Sequence, residues 1–240
     1  MTEELAVGDA YLRECTATVV AVTADGVVLD RTVFYPQGGG QPGDTGVLEW
    51  ADGRVEIADT VRREGEVVHI PAGGQAPPAG TAVRAVIDWE RRHLLMRTHT
   101  ALHVLSALVW REYGAKVTGG NMEPGRARMD FELESMSVEF GREVEERLNA
   151  ILAEGHPVQV LSMPRAEALA DPDLIRTKVS LIPEHVDPIR VVDIAGADRQ
   201  ADGGTHVADT AEVGRVQVVK TESKGKGNKR MRIELEQPPA

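Results

Sequence analysis

The stretch from Trp89 to about Glu112, WERRHLLMRTHTALHVLSALVWRE, constrains this chain more than any other. Its first third is basic, with Arg91, Arg92, His93 and Arg97. Its second part, Ala101–Trp110, is apolar except for His103 and Ser106. A helix that is apolar on nearly all sides has no face to give to water, so the pattern predicts a helix buried inside a core. No apolar run reaches the roughly 18 residues of a spanning helix. The start, MTEELAVGDAYLREC, is acidic and lacks a long apolar h-region, so no secretory signal is expected. One cysteine, Cys15, cannot make an internal disulfide; it is read as a small buried hydrophobe in a cytoplasmic protein. With 27 basic and 38 acidic residues the formal charge is −11. That excludes a generic nucleic-acid coat, and any polyanionic partner needs a local basic patch.

On either side of the boundary at about residue 88 the patterns differ. Residues 1–88 hold short Val-rich runs at Thr18–Val22, Gly26–Leu29, Thr32–Phe34, Val55–Ala58, Val67–Ile70 and Thr81–Ile87. Turn signals at Asp25-Gly26, Asp52-Gly53 and Gly73-Gly74 separate them, which predicts a small barrel or sandwich. Residues 89–240 mix the long helix, a second helix over Ser137–Glu154 with Ser137 as N-cap and Gly155 as C-cap, and strands at Ala127–Glu132, Val158–Ser162, Ile189–Ile194, Arg215–Lys220 and Met231–Glu236. Helices and strands segregate here, so this part is α+β. The expected architecture is therefore a β-structured domain over 1–88 and an α+β domain over 89–240.

Four features carry candidate chemistry. His99 and His103 stand at i and i+4 on the long helix, about 6 Å apart at their β-carbons, a workable bite for one metal ion. Asp202 and His206 repeat that spacing in QADGGTHV, with Gly203 and Gly204 between them. Each pair alone also reads as ordinary structure, two bonded polar residues or a glycine turn. Together they form a possible four-ligand set drawn from distant positions. FYPQGGGQPGD, residues 34–44, puts Gly38, Gly39 and Gly40 between Gln37 and Gln41, either a backbone surface for an anion or sugar or a long β-turn. It is neither a P-loop nor a dinucleotide fingerprint. RVQVVKTESKGKGNKRMR, residues 215–232, is a basic run on an acidic chain. Lys224, Lys226, Lys229 and Arg230 are candidate phosphate contacts, with Arg91, Arg92 and Arg97 as extensions. His69, His93, His156 and His185 lie in no ligand-spaced pair and are read as structural or surface residues.

HTALH, a distant GGTHV and the GGGQPGDTG segment together resemble the AlaX family of alanyl-tRNA editing proteins, in its medium-length type. VTGGN at 117–121, RMDF at 128–131, DIAGADRQ at 193–200 and TAEVG at 210–214 extend the resemblance over nearly the whole chain. The resemblance implies an N-terminal barrel like a translation-factor domain, and an editing domain whose central buried helix packs on an antiparallel sheet. It implies one zinc ion per chain, on His99, His103, Asp202 and His206. It also implies hydrolysis of the ester joining serine, or glycine, to tRNA(Ala). His99 and His103 fall at the reaction centre, Thr118 in the region of a serine-sensing threonine, and Gly38–Gly40, Gly203 and Gly204 as substrate-facing backbone. The family pattern has Cys where this chain has Asp202, a hard oxygen in place of a soft thiolate. That departure leaves open a three-histidine site, Gln200 or Asp198 as substitute ligand, another divalent ion, or an RNA-binding module without metal.

Overall fold

A computed structural model describes residues 2–177 and 182–236. The chain forms two compact units, Met1–Leu94 and Leu95–Ala240.

The first unit runs β1 (Glu3–Glu4), β2 (Glu14–Val22), β3 (Val27–Leu29), β4 (Arg31–Thr32), β5 (Gly46–Trp50), β6 (Gly53–Arg63), β7 (Glu66–Pro71) and β8 (Ala82–Ile87). Six of these close an antiparallel barrel in the order β2-β3-β7-β6-β5-β8, while β1 pairs with β4. Of the barrel and sandwich alternatives the barrel is the one formed. Its interior follows the period of two: Val83, Ala85 and Ile87 of β8 point inward, as do Ala17 and Val19 of β2. Closure places Gly46 where a β-carbon would fall 2.1 Å from the Val86 carbonyl oxygen, so no larger residue fits. The run Thr32–Phe34 is shorter as a strand than its composition suggests. Val33 and Phe34 are buried in the core but lie beyond β4.

The second unit contains most of α1 (Trp89–Tyr113), then β9 (Val117–Glu123), β10 (Arg126–Phe131), α2 (Val138–Ala153), β11 (Val158–Met163), α3 (Arg165–Ala170), β12 (Ile189–Ile194), β13 (Asp198–Ala201), β14 (Val216–Ser223) and β15 (Lys229–Leu235). The strands form two antiparallel sheets, β14-β15-β10-β9 and β11-β12-β13. Through Leu95–Val109, α1 buries Leu95, Met96, Ala101, Leu102, Val104, Leu105, Ala107, Leu108 and Val109, the fate its all-round apolarity requires. On α2 a single stripe is buried, Gly141, Val144, Leu148 and Leu152. The Ser137 hydroxyl accepts the Phe140 N–H as its N-cap, and Gly155 follows the helix end at φ +73°. Asn149 ties α2 to β14 by donating to the Val216 carbonyl and accepting its N–H. The whole is an α+β fold.

Candidate metal centre

The first unit contains a buried polar centre of its own. Asp44, last residue of the glycine-rich segment, accepts the Tyr35 N–H and the Nε and Nη2 of Arg92. The Arg92 Nη1 and Nη2 also donate to the carbonyls of Ala10 and Val33, and the side chain is fully buried. This corrects its expected role: the charge of Arg92 is consumed inside the first unit, and a phosphate cannot reach it. Arg91 gives one N–H to the Gly43 carbonyl and is half-buried. The triple glycine is a tight turn. Gly38 and Gln41 exchange both backbone hydrogen bonds, and Gly39 and Gly40 sit exposed between them at φ +58° and +83°. Positive φ explains both glycines, and the Gly38 N–H is already spent. His69, fully buried, donates Nδ1–H to the Val27 carbonyl and accepts from Thr32 at 2.8 Å, a structural histidine. Burial pushes it down to about 4, with the Val27 bond opposing. Cys15 is half-buried, and burial raises its thiol.

In the second unit, α1 carries His99 and His103 on one face. The loop after β13 brings Asp202 and His206 to them. One potential ligand atom from each lies within 4.8 Å of all the others. The Nε2 atoms of His99, His103 and His206 stand 3.5, 4.0 and 3.1 Å from the Asp202 carboxylate. Ligands about 2.0 Å from a tetrahedral ion stand about 3.3 Å apart, so the cluster is close to the needed size. The three imidazoles are buried.

Tautomers decide what this cluster can hold. The His103 Nδ1 faces the Asp198 carboxylate at 3.1 Å, which holds a proton there, and Nε2 is turned toward Asp202 at 4.0 Å. The His206 Nδ1 meets the Thr100 hydroxyl at 3.1 Å, and Thr100 also accepts the Val207 N–H. His206 Nε2 in turn lies 3.1 Å from Asp202 Oδ2, where its N–H donates to the carboxylate in one tautomer and its lone pair is open to an ion in the other. Three imidazoles, one carboxylate and their outer hydrogen-bond partners are the donor set of a divalent ion. Electrostatics agree. Burial pushes His99 well below its usual value and His206 to about 4, so both are neutral ligands. Burial would raise Asp202, yet the facing imidazoles hold it well below the usual carboxylate range. Burial likewise lowers His103, but the Asp198 hydrogen bond outweighs it and the net shift is upward.

The other expected residues divide. Gly203 has nothing within 4 Å of where a β-carbon would stand, so the loop is open there among the described residues. The Gly204 N–H is spent on the Asp202 carboxylate at 2.5 Å, so it is not a donor for substrate. Thr118 lies on β9 and donates to the Asn228 side chain at 2.9 Å. Lys224 and Lys226 are exposed at the β14–β15 turn. Lys229 is buried and donates to the Gly225 carbonyl, and Arg230 grips Asp130 through two bonds. Lys229 is used within the hairpin turn and Arg230 ties β15 to β10, so both are already engaged, a second correction. Asp198 and Gln200 are not ligands: Asp198 sits behind His103, and Gln200 donates to Asp198. Sequence reasoning missed Asp198, Thr100 and Arg176 as supports: Thr100 lay inside HTALH, Asp198 was read only as a substitute ligand, and Arg176 carried no signal.

Residues 7–91 match the family described as tRNA synthetases class II (A), and residues 189–232 match the threonyl and alanyl tRNA synthetase second additional domain. The alanyl-tRNA editing protein AlaX-M of Saccharolobus solfataricus is 38% identical over 96% of this chain and 98% of its own length. That of Methanosarcina acetivorans is 39% identical over 98% and 99%. An alanine–tRNA ligase of Pyrobaculum arsenaticum is 39% identical over 92% of this chain, which spans 25% of that ligase. Fold, cluster and matched segments place the molecule in the class of synthetase-related editing modules. Within that class, the chain belongs to the alanyl-tRNA editing protein family of AlaX-M type.

Proposed function

We propose that this chain is a trans-editing aminoacyl-tRNA deacylase, cleaving the ester of misacylated tRNA(Ala), chiefly seryl and secondarily glycyl, at a zinc centre on His99, His103, Asp202 and His206. The observation that carries this reading is the convergence of four ligand atoms within 4.8 Å from a buried helix and a distant loop, in a chain of this family. In the reaction, water adds to the ester carbonyl and the terminal ribose hydroxyl leaves. A divalent ion, which His99, His103, Asp202 and His206 would hold, would supply positive charge to the carbonyl oxygen as negative charge develops on it. The imidazoles and Asp202 hold that charge in place, while Gly203 leaves room for the acyl group beside it.

Selectivity follows from size. Alanine is smaller than serine, so no steric barrier can exclude it, and the site must reward the serine hydroxyl. Thr118 is the sensor in this reading. Its proton goes to Asn228, which leaves its oxygen to accept a hydrogen bond from serine. Arg91, Lys224 and Lys226 are the cations placed for the RNA backbone, and the Gly39–Gly40 turn offers exposed backbone on the first unit. The cytoplasm, where charged tRNA is used, is the expected compartment.

The test is deacylation of seryl-, glycyl- and alanyl-tRNA(Ala) with and without chelator. Seryl ester is hydrolysed fastest, chelation abolishes turnover and zinc restores it. Activity indifferent to chelation overturns the metal reading, and equal rates on alanyl ester overturn the selectivity.

A further inference from the structure

Behind the cluster, the Asp198 side chain is fully buried, and three donors converge on it. His103 Nδ1 lies 3.1 Å from Oδ2, and the Gln200 amide donates to the same oxygen at 2.6 Å. Arg176 places Nη1 2.8 Å from Oδ1, an ion pair whose angle falls outside hydrogen-bond geometry. Arg176 is itself buried and fixed from the other side, with Nε donating to the Asp173 carbonyl at 2.8 Å. The strand that carries Asp198 and Gln200, β13, is in register with β12, so the carboxylate rests on sheet and not on loop. With Oδ2 taking both hydrogen bonds and Oδ1 set against the guanidinium, the carboxylate is held in one orientation, and Oδ2 faces the His103 ring nitrogen.

From this geometry we infer that Asp198, anchored by Arg176 and Gln200, is a positioning residue for the metal centre, fixing the His103 tautomer and ring plane so that Nε2 faces the ion. The inference rests on the metal reading above and deepens it. Arg176 has a second consequence. Three neutral imidazoles and one carboxylate leave a divalent ion with one net positive charge. An uncompensated Asp198 carboxylate beside His103 would oppose that charge, and the guanidinium cancels it. The support therefore orients the ligand without neutralising the centre. Outer partners of this kind are worth about 10- to 100-fold in metal affinity.

A cavity of about 360 Å³ opens beside the pair, lined by Asp198, Arg176, Trp110 and Arg199 among others. It offers a route for chemical rescue. Zinc affinity is measured by competition with a chromogenic chelator on the full chain, for wild type, Asp198→Ala and the charge-neutral pair Asp198→Asn/Arg176→Met. The double variant leaves no lone buried charge, so it keeps the test valid if Asp198→Ala does not fold. The expected result is an affinity about 10- to 100-fold lower in both variants, at unchanged near-ultraviolet dichroism. Formate, replacing the lost carboxylate, recovers most of the affinity in Asp198→Ala and leaves wild type unchanged. Affinity within twofold of wild type in a folded variant overturns the inference. Lost affinity that formate does not recover, with lost dichroism, overturns it in favour of a purely structural role. A wild type that binds no zinc instead removes the metal reading itself, so the two failures are distinguishable.

Discussion

Each unit buries a polar centre, and the two are built on opposite principles. In the barrel, Asp44 meets Arg92, and His69 meets one carbonyl and one hydroxyl, so every donor has an acceptor. In the second unit, three imidazoles turn toward one carboxylate, and His103 and His206 meet Asp198 and Thr100 on the far side. The first centre pairs a cation with an anion; the second gathers four potential ligand atoms around one point. Burial alone does not separate them, since Arg92 and His69 are at least as inaccessible as His99 and His206. The kind of groups gathered does. A buried ion pair holds a fold together, and three imidazoles converging with a carboxylate are groups that can hold a cation.

Breaking the self-contained centre gives the largest stability effect. Asp44→Ala leaves the Arg92 guanidinium buried and unpaired, which costs about 3–5 kcal/mol. Urea unfolding followed by Trp50 and Trp89, in a Trp110→Phe background, reads this in the first unit, and zinc affinity of the folded fraction stays at the wild-type value. A loss under 1 kcal/mol contradicts the account of Arg92. The incomplete centre shows the converse. Removing zinc leaves the first unit's transition in place and destabilises the second by about 2.7–4.1 kcal/mol, for free zinc at 100 to 1,000 times Kd. His206→Ala abolishes that difference between chelated and zinc-loaded protein. If chelation moves both transitions equally, the two centres are not the separate systems described here.

The barrel centre also has a pH signature. Burial lowers His69 from 6.5 to about 4, so the folded state keeps it neutral while the unfolded chain takes up a proton below 6.5. Stability contributed by neutral His69 is complete above pH 6.5 and is lost as pH falls toward 4. At pH 5.5 the loss is about 1.4 kcal/mol. Comparing urea midpoints of wild type and His69→Gln across pH 4.5–7 isolates the effect, because other groups cancel. Parallel curves would mean that His69 is not held neutral.

Periodicity and composition made much of this readable in the sequence, and geometry explains what they missed. The Val-rich run Thr81–Ile87 and the apolar Ala101–Trp110 stretch announced a strand and a buried helix. The paired i,i+4 spacings named all four members of the cluster. Strands β9 and β13 gave no such signal: VTGGNME has little apolar alternation, and DRQA has none. Arg92 was misread because a cation's burial depends on a carboxylate 48 residues away, which no local pattern reports. Arg230 was misread for the same reason, since strand pairing sets it opposite Asp130, whereas Lys229 folds back onto the Gly225 carbonyl of its own turn. Charge in a sequence shows where cations are, and only the fold shows which are already used.

That filter sharpens the RNA prediction, which carries the smallest effects. Thr118→Val removes the hydroxyl proposed to sense serine. The ratio of seryl to alanyl hydrolysis falls by roughly tenfold or more, about 1.4 kcal/mol, with zinc affinity unchanged. An unchanged ratio discards Thr118 as sensor. Smaller still is the loss of Lys224 and Lys226, exposed where Lys229 and Arg230 are not. Each phosphate contact contributes a salt-dependent increment. The double variant Lys224→Ala/Lys226→Ala therefore raises KM for tRNA a few-fold, flattens its dependence on salt by up to two contacts' worth, and leaves kcat unchanged. Lys229→Ala and Arg230→Ala should act in the opposite way, lowering stability of the β14–β15 hairpin while leaving the salt dependence intact. If the salt slope responds to Arg230 and not to Lys224, the cations already paired within the fold are the ones that meet RNA, and the distinction between closed and open polar groups fails at this surface.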